Sequence, residues 1–132
     1  MSKLGCICGH TIVDQTDHLS YKAEFIRNQD LDIIDKRTDD IASFIEAVKN
    51  GTRDNWLSSY FGSEIYKTAS DNSVVFDLIS RHTLNYESII YQCEKCGRVK
   101  IQVGNTNNFL SFAPEEKNWA DLFKGLSQTK NK

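Results

Sequence analysis

The sequence predicts an α+β fold in which short β-hairpins from both ends of the chain meet at one metal site and enclose a mostly helical insertion. The four cysteines form two close pairs, in the segments CICGH and CEKCG near opposite ends of the chain. Between the pairs, apolar residues recur with helical spacing, whereas the flanking segments alternate apolar and polar residues as strands do. With 132 residues, the chain is expected to form a single domain.

The cysteine pairs predict a structural zinc site. No secretory signal is visible, and in a reducing compartment clustered cysteines are more often metal ligands than disulfides. Structural zinc favours four thiolates in a tetrahedron. A glycine follows each pair and allows the positive φ that turns backbone amides towards the sulfurs. The expected ligands are Cys6, Cys8, Cys93 and Cys96. His10 is the alternative ligand, in a Cys₃His site.

The first strands are expected within residues 1–30. The segment LGCICGHTIVDQ is typical of a strand, a metal-binding turn and a second strand, and YKAEFIRN alternates apolar residues on one face. The helical insertion is predicted over residues 31–85. Its beginning, DLDIIDKR, has the composition of an acidic connector.

Three segments of the insertion carry helical patterns. The first is predicted from Thr38 to Asn50, with an apolar stripe of Ile41, Phe44, Ile45 and Val48. The segment RDNWLSSYFGS predicts a short helix that ends at a glycine. The third segment, SDNSVVFDLISRHTL, fits a helix capped by Ser70 or Asp71, although its β-branched residues leave a strand open.

The C-terminal part is predicted to return to strands over residues 86–113. ESIIYQ leads into the second cysteine pair, RVKIQV leads out of it, and FLSFA forms the last strand. Pro114 stands where helices often begin, so a helix over residues 114–125 is expected to bury Trp119, Leu122 and Phe123. Residues 127–132 are expected to form a flexible tail.

The motifs argue against an enzyme and against a membrane protein. Four thiolates around a metal leave no position for water or substrate, and the sequence lacks metalloprotease, deaminase, P-loop and dinucleotide-binding signatures. No apolar run approaches the roughly 20 residues that span a bilayer. We therefore expect a non-enzymatic protein of the cytoplasm, with a metal-dependent enzyme as the third alternative.

Charge favours a protein partner over nucleic acid. The net charge is −2, whereas nucleic-acid-binding domains are usually basic. Acidic residues exceed basic ones in the insertion, and Asp39, Asp40 and Glu46 are the candidate contacts with a basic partner. Lys95, Arg98 and Lys100 form a small basic cluster beside the second cysteine pair. That cluster supports the main alternative, a zinc-ribbon accessory factor for nucleic acid or transcription.

The paired motifs CICG and CEKCG, with GRVKI and FAPE after the second pair, resemble those of small bacterial zinc-ribbon proteins. The resemblance covers about the first ten residues and residues 93–116. Some proteins of this kind are immunity proteins of contact-dependent inhibition and related polymorphic toxin systems. The resemblance implies a cytosolic protein that binds and neutralises a toxin, often a nuclease. Toxin nucleases are commonly basic, and an acidic inhibitor would be steered towards them.

Overall fold

The computed structural model of the protein describes residues 2–129, and over this range it contains three α-helices and two small antiparallel sheets. The predicted α+β class is confirmed. The fold divides into two compact units, one formed by Met1–Phe25 with Glu87–Lys132 and the other by Ile26–Tyr86. We refer to them as the strand unit and the helical unit.

The strand unit is built on two sheets. Strands β1 (Ser2–Gly5) and β2 (Thr11–Asp14) form an antiparallel hairpin. The second sheet has the order β3-β4-β5-β6. Its strands are β3 (Lys22–Ile26), β4 (Glu87–Gln92), β5 (Val99–Gln102) and β6 (Phe109–Phe112). Because β1–β2 and β4–β5 are both hairpins whose loops carry a cysteine pair, the pairing of the strands positions those pairs.

The core of the strand unit is small and contains two thiols. Its buried residues are Cys6, Ile12, Tyr91 and Cys93. The hydroxyl of Tyr91 donates to Asp14 at 2.5 Å, and the ammonium group of Lys22 lies 2.6 Å from the same carboxylate. Burial alone would raise the pKa of Asp14, but these two partners lower it below its ordinary value.

Helix α1 (Leu31–Lys49) begins seven residues earlier than the sequence predicted. The segment expected to be an acidic connector forms its first two turns, and Thr38, where the helix was predicted to begin, lies inside it. The reason is that Ile34, which is buried, extends the apolar side of the helix towards its N-terminus. Ile45 and Val48 were expected in the core but are exposed, because the core of this unit lies on the side of Phe44 and Ala47.

Helices α2 (Arg53–Phe61) and α3 (Asp71–Tyr86) complete the helical unit. The short α2 is confirmed, and it ends at Gly62 with a φ of 65°. The third segment is a helix rather than a strand, and the hydroxyl of Ser70 accepts from the backbone N–H of Ser73 at 3.1 Å as a cap. The core consists of Phe44, Leu57, Val74 and Leu78, with aromatic side chains of α2 around it.

The predicted C-terminal helix over residues 114–125 is absent, and this segment forms bends and turns. Asp121 has a φ of 60°, which a right-handed helix cannot contain. The segment is held by tertiary contacts of Trp119 instead, and Leu122 is exposed. Part of the predicted flexible tail forms a 3₁₀ turn, Leu126–Thr129, and residues 130–132 lie outside the described range.

Candidate metal centre

The first cysteine pair lies in the loop that joins β1 to β2. The backbone N–H of Cys6 donates to the carbonyl of His10 at 2.9 Å. This bond extends the β1–β2 hairpin by one further pair of opposite residues. The N–H of Gly9 then donates back to the carbonyl of Cys6 at 2.9 Å. Gly9 has a φ of 98°, as expected from its place after the second cysteine. The loop is therefore a tight turn that holds both thiols on the same side.

The second cysteine pair repeats this arrangement with one more residue, between β4 and β5. The N–H of Cys93 donates to the carbonyl of Arg98 at 2.8 Å, and the N–H of Gly97 donates to the carbonyl of Cys93 at 2.9 Å. Gly97 has a φ of 83°. Both loops thus use a cysteine carbonyl to accept from a glycine amide. The extra residue accounts for the difference between the C-x-C and C-x-x-C spacings.

The two loops bring all four thiols into one cluster. Sγ of Cys6 lies 3.5 Å from Sγ of Cys96, and Sγ of Cys8 lies 3.6 Å from Sγ of Cys93. All four sulfur atoms lie within 4.8 Å of one another. Zinc–sulfur bonds of about 2.3 Å in a tetrahedron require sulfur separations of about 3.8 Å. The free thiols therefore have the number, chemistry and spacing needed to hold a metal ion.

The thiols of the cluster differ in how readily they ionise. Burial raises the pKa of Cys96, but the backbone N–H and guanidinium of Arg98 outweigh it and lower that pKa to about 6. The guanidinium lies 3.3 Å from the sulfur. Burial dominates at Cys93 and raises its pKa to about 11. Burial also opposes ionisation of Cys6, but the backbone N–H of Cys8 contributes to a lowered pKa there. Cys6 and Cys96 are thus prepared to ionise, whereas Cys93, which is fully buried, needs a metal ion to stabilise its charge.

Trp119 covers the second loop, a contact that the sequence did not reveal. A Cβ atom at Gly97 would lie 2.7 Å from Cγ of Trp119, so the indole ring occupies the space that a side chain would need. The buried side chain of Gln92 donates to the Trp119 carbonyl at 2.9 Å and to the Gly97 carbonyl at 3.4 Å. Gln92 immediately precedes the first cysteine of this loop, and that position is the only sequence signal for its role.

The other candidate residues near the loops have different positions from those expected. His10 is not part of the group that could hold a metal ion, which among the described residues consists of the four cysteines. The three basic residues that were predicted to form a cluster beside the second cysteine pair each contact a different group. Arg98 faces Cys96, the ammonium group of Lys95 lies 3.4 Å from the Cys8 carbonyl, and Lys100 is buried against Ser111.

The three candidate partner-binding residues lie on α1 but differ in accessibility. Asp39 and Glu46 are exposed, and Glu46 forms an ion pair with Lys49 at 3.5 Å. Asp40 is half-buried, and its carboxylate accepts from Tyr60 at 2.6 Å and lies 2.8 Å from Nε2 of His82. Asp40 therefore links the three helices, and only the other two are presented to solvent.

Comparison with known proteins identifies the family. Residues 2–116 match the family described as Domain of unknown function (DUF8617), and the chain belongs to it. No curated protein and no solved structure gives a significant match. The match includes both cysteine pairs and the whole helical unit but ends before Trp119. Within residues 2–129, no helix is long and apolar enough to cross a membrane.

Proposed function

We propose that the protein binds one structural Zn²⁺ through Cys6, Cys8, Cys93 and Cys96. The single observation that carries this proposal is the convergence of four free thiols from two loops within zinc-binding distance. Zinc prefers such a set of soft ligands, and its affinity for four thiolates is high. The two hairpins then clasp the ion in the manner of a zinc ribbon. The ion cross-links cysteines that are up to 90 residues apart.

The proposed role of the zinc is to stabilise the fold and not to catalyse a reaction. Four protein ligands complete a tetrahedron, so no coordination position remains for water or a substrate. The side chains around the sulfurs serve the cluster itself, because Arg98 offsets thiolate charge and Trp119 covers the loop. A catalytic zinc site would require an open position and a neighbouring acid or base. We infer a non-enzymatic binding protein.

The most specific form of the proposal is an immunity protein that neutralises a basic toxin such as a nuclease. The exposed acidic residues of helix α1 support the proposal of a basic partner. Asp32, Asp39 and Glu46 are spaced seven residues apart, and each step of seven residues shifts the position around a helix by only about 20°. Asp35 lies between them on the same side and is also exposed. These four residues, the acidic stripe, extend over about 21 Å.

The acidic stripe presents charge that is largely free to meet a partner. In the described part of the chain, Asp32, Asp35 and Asp39 have no ion pair, and only Glu46 is paired. The resemblance to immunity proteins and the exposed negative charge both favour a basic toxin domain as the partner. Aligned carboxylates would accelerate encounter with a basic surface, and the effect would weaken as salt increases.

The proposed function is tested first by sequencing the neighbouring genes for a toxin domain and then by purifying that domain. Wild-type protein should bind the purified toxin and block its activity. The double variant Asp39→Lys/Glu46→Lys should associate about tenfold or more slowly at low salt and show a weaker salt dependence. Asp54→Lys, an exposed acid on α2, is the matched control and should behave almost like wild type. Tight binding of wild type to DNA or RNA, without any toxin binding, would instead establish a nucleic-acid accessory factor.

A further inference from the structure

Two sulfur–sulfur contacts join the cysteine loops in a definite pairing. Sγ of Cys6 lies 3.5 Å from Sγ of Cys96, and Sγ of Cys8 lies 3.6 Å from Sγ of Cys93, so each contact runs from one loop to the other. Together the two contacts use every sulfur once. Four thiols can form two disulfides in three ways, and these contacts correspond to one of them. An S–S bond of about 2.05 Å requires the sulfurs of each pair to approach by only about 1.5 Å.

Each of these pairs combines a partly exposed cysteine with a buried one. Cys96 and Cys8 are partly exposed, whereas Cys6 is 9% exposed and Cys93 is fully buried. A small oxidant dissolved in water therefore reaches one sulfur of each pair first, and the second sulfur is already in contact with the first. Oxidation of cysteine to a disulfide needs this combination of an accessible thiolate and a neighbouring thiol that resolves the intermediate.

The loops are held by bonds that do not involve sulfur. The first loop is closed by the backbone bonds of Cys6 and Gly9, and the second by those of Cys93 and Gly97. Between the loops, the ammonium group of Lys95 lies 3.4 Å from the carbonyl of Cys8. Because none of these bonds depends on the state of a sulfur, the two partners of each pair remain close while a metal ion is released.

We propose that the cysteine cluster is also a site of oxidation by peroxides, at which two disulfides, Cys6–Cys96 and Cys8–Cys93, replace the metal ion. The inference rests on the proposed zinc site and adds a second chemistry to the same four sulfurs. Sulfur in a disulfide is no longer a thiolate, and the thiolate is the form that binds metal. Oxidation therefore removes the ligands and releases the ion.

The reaction of each pair consumes one molecule of peroxide. The thiolate of Cys96 or Cys8 attacks a peroxide oxygen and the O–O bond breaks, which gives a sulfenic acid and hydroxide. The thiolate of the buried partner then attacks the sulfenic sulfur, forms the S–S bond and displaces a second hydroxide. Each hydroxide takes up a proton and becomes water. Each pair of thiolates loses two electrons, and the peroxide gains them.

The pairing determines what oxidation does to the fold. Disulfides within a loop would leave the two ends of the chain unconnected after the ion has left. Disulfides between the loops instead connect cysteines 90 and 85 positions apart, so they hold the two hairpins together in place of the ion. A cross-link over so long a loop strongly restricts the unfolded chain. Oxidised protein should therefore keep the fold of the strand unit without metal, whereas reduced protein without metal should lose it.

The experiment begins with reduced protein whose zinc content has been measured. Two equivalents of hydrogen peroxide are added, and the release of zinc is followed with a colorimetric dye. Zinc should be released completely, and the mass of the intact chain should fall by four hydrogen atoms relative to the reduced chain. The strands β1, β2, β4 and β5 should remain protected from hydrogen–deuterium exchange in the oxidised, zinc-free protein.

Digestion with trypsin under non-reducing conditions identifies the pairing. Cleavage after Lys95 separates Cys93 from Cys96, whereas Cys6 and Cys8 stay together on one peptide. Disulfides between the loops join three peptides, namely residues 4–22, 82–95 and 96–98. Disulfides within the loops leave the first of these peptides unattached. Fragmentation of the joined product between Cys6 and Cys8 should then show Cys6 bound to the peptide of Cys96.

The matched control is the same protein oxidised in denaturant. Without folded loops the thiols should pair in a mixture of arrangements. The folded protein should give the product joined between the loops in about a tenfold excess or more over the other arrangements, because its partner sulfurs are already in contact.

Three results with zinc-loaded protein would overturn the inference and leave the zinc site intact. They are disulfides within the loops, zinc that stays bound after peroxide treatment, and strands that lose protection in the oxidised protein. Absence of zinc from the reduced protein at the start would reject the proposed zinc site, and with it the exchange of metal for disulfides. Zinc release together with both disulfides between the loops would support the inference.

Discussion

The strand unit and the helical unit are built on different kinds of core. In the strand unit, two of the four buried core residues are thiols, and its strands are only four to six residues long. The helical unit buries Phe44, Leu57, Val74 and Leu78 and surrounds them with aromatic rings. Short hairpins bury too little apolar surface to be stable alone, whereas packed helices with large side chains can be. If the proposed zinc ion is bound, we expect the strand unit to depend on that metal and the helical unit to depend on packing.

The largest expected effect is the loss of a zinc ligand. Cys93→Ser should abolish stoichiometric zinc binding and unfold the strand unit, because structural zinc contributes on the order of 10 kcal/mol to folding. Metal analysis and denaturant unfolding measure the two effects. Ile12→Val is the matched control in the same core and should cost only about 1 kcal/mol with zinc retained. If the two variants were equally stable, the strand unit would not depend on its metal.

The next largest effect should be confined to the helical unit. Phe44→Ala removes a side chain that is 1% exposed and packs against Trp56, so it should destabilise this unit by about 3 to 5 kcal/mol. The helical circular dichroism signal should be lost at lower denaturant concentration, while zinc content remains at one ion per chain. A loss of zinc in this variant would show that the metal centre requires the helical core.

The two cysteine loops themselves should respond unequally to the same substitution. Alanine at Gly9 or Gly97 meets backbone strain of about 1 to 2 kcal/mol, because both have positive φ. Space around Gly9 is open, whereas a side chain at Gly97 collides with Trp119, which should add about 1 to 3 kcal/mol. Thermal unfolding compares the variants. The additional cost should disappear when Gly97→Ala is combined with Trp119→Ala, and equal costs in both backgrounds would contradict the contact.

The smallest expected effect is an acid sensitivity of the helical unit. Burial opposes ionisation of Asp40, but its bonds to Tyr60 and His82 lower its pKa below the ordinary value. Its contribution to stability is therefore complete above the unfolded pKa of about 3.9 and is lost as pH falls through the lower, folded pKa. In the variant Asp40→Asn, the free energy of unfolding should fall less at low pH. Urea unfolding at several pH values, followed by circular dichroism, measures this free energy. An unchanged pH profile would show that Asp40 does not cause the loss of stability at low pH.

The sequence predicted best the features that follow from local chemistry. Paired cysteines, each pair followed by glycine, predicted the convergence of the four cysteines and the positive φ of Gly9 and Gly97. The apolar periodicity predicted α2 and favoured a helix for α3. These patterns are local, so neighbouring residues determine both the backbone conformation and the side that carries the thiols or apolar groups.

The sequence-based predictions were wrong where contacts between residues far apart in the chain determine the local structure. Pro114 and the acidic residues after it are typical of a helix start, yet Trp119 packs against Gly97 and Asp121 adopts a left-handed φ. The start of α1 was missed because burial of Ile34, and not a capping residue, extends the helix. Asp40 was expected to face a partner but bonds to α2 and α3. Such contacts join residues far apart in sequence, and periodicity carries no information about them.

Hydrogen–deuterium exchange before and after zinc removal tests the central comparison most directly. The protein with one zinc ion per chain is compared with the same protein after treatment with a strong chelator. We expect β1, β2, β4 and β5 to lose protection when the metal is removed, while α1, α2 and α3 keep theirs. Strands that stay protected without zinc, or helices that lose protection together with them, would contradict the dependence of the strand unit alone on the metal.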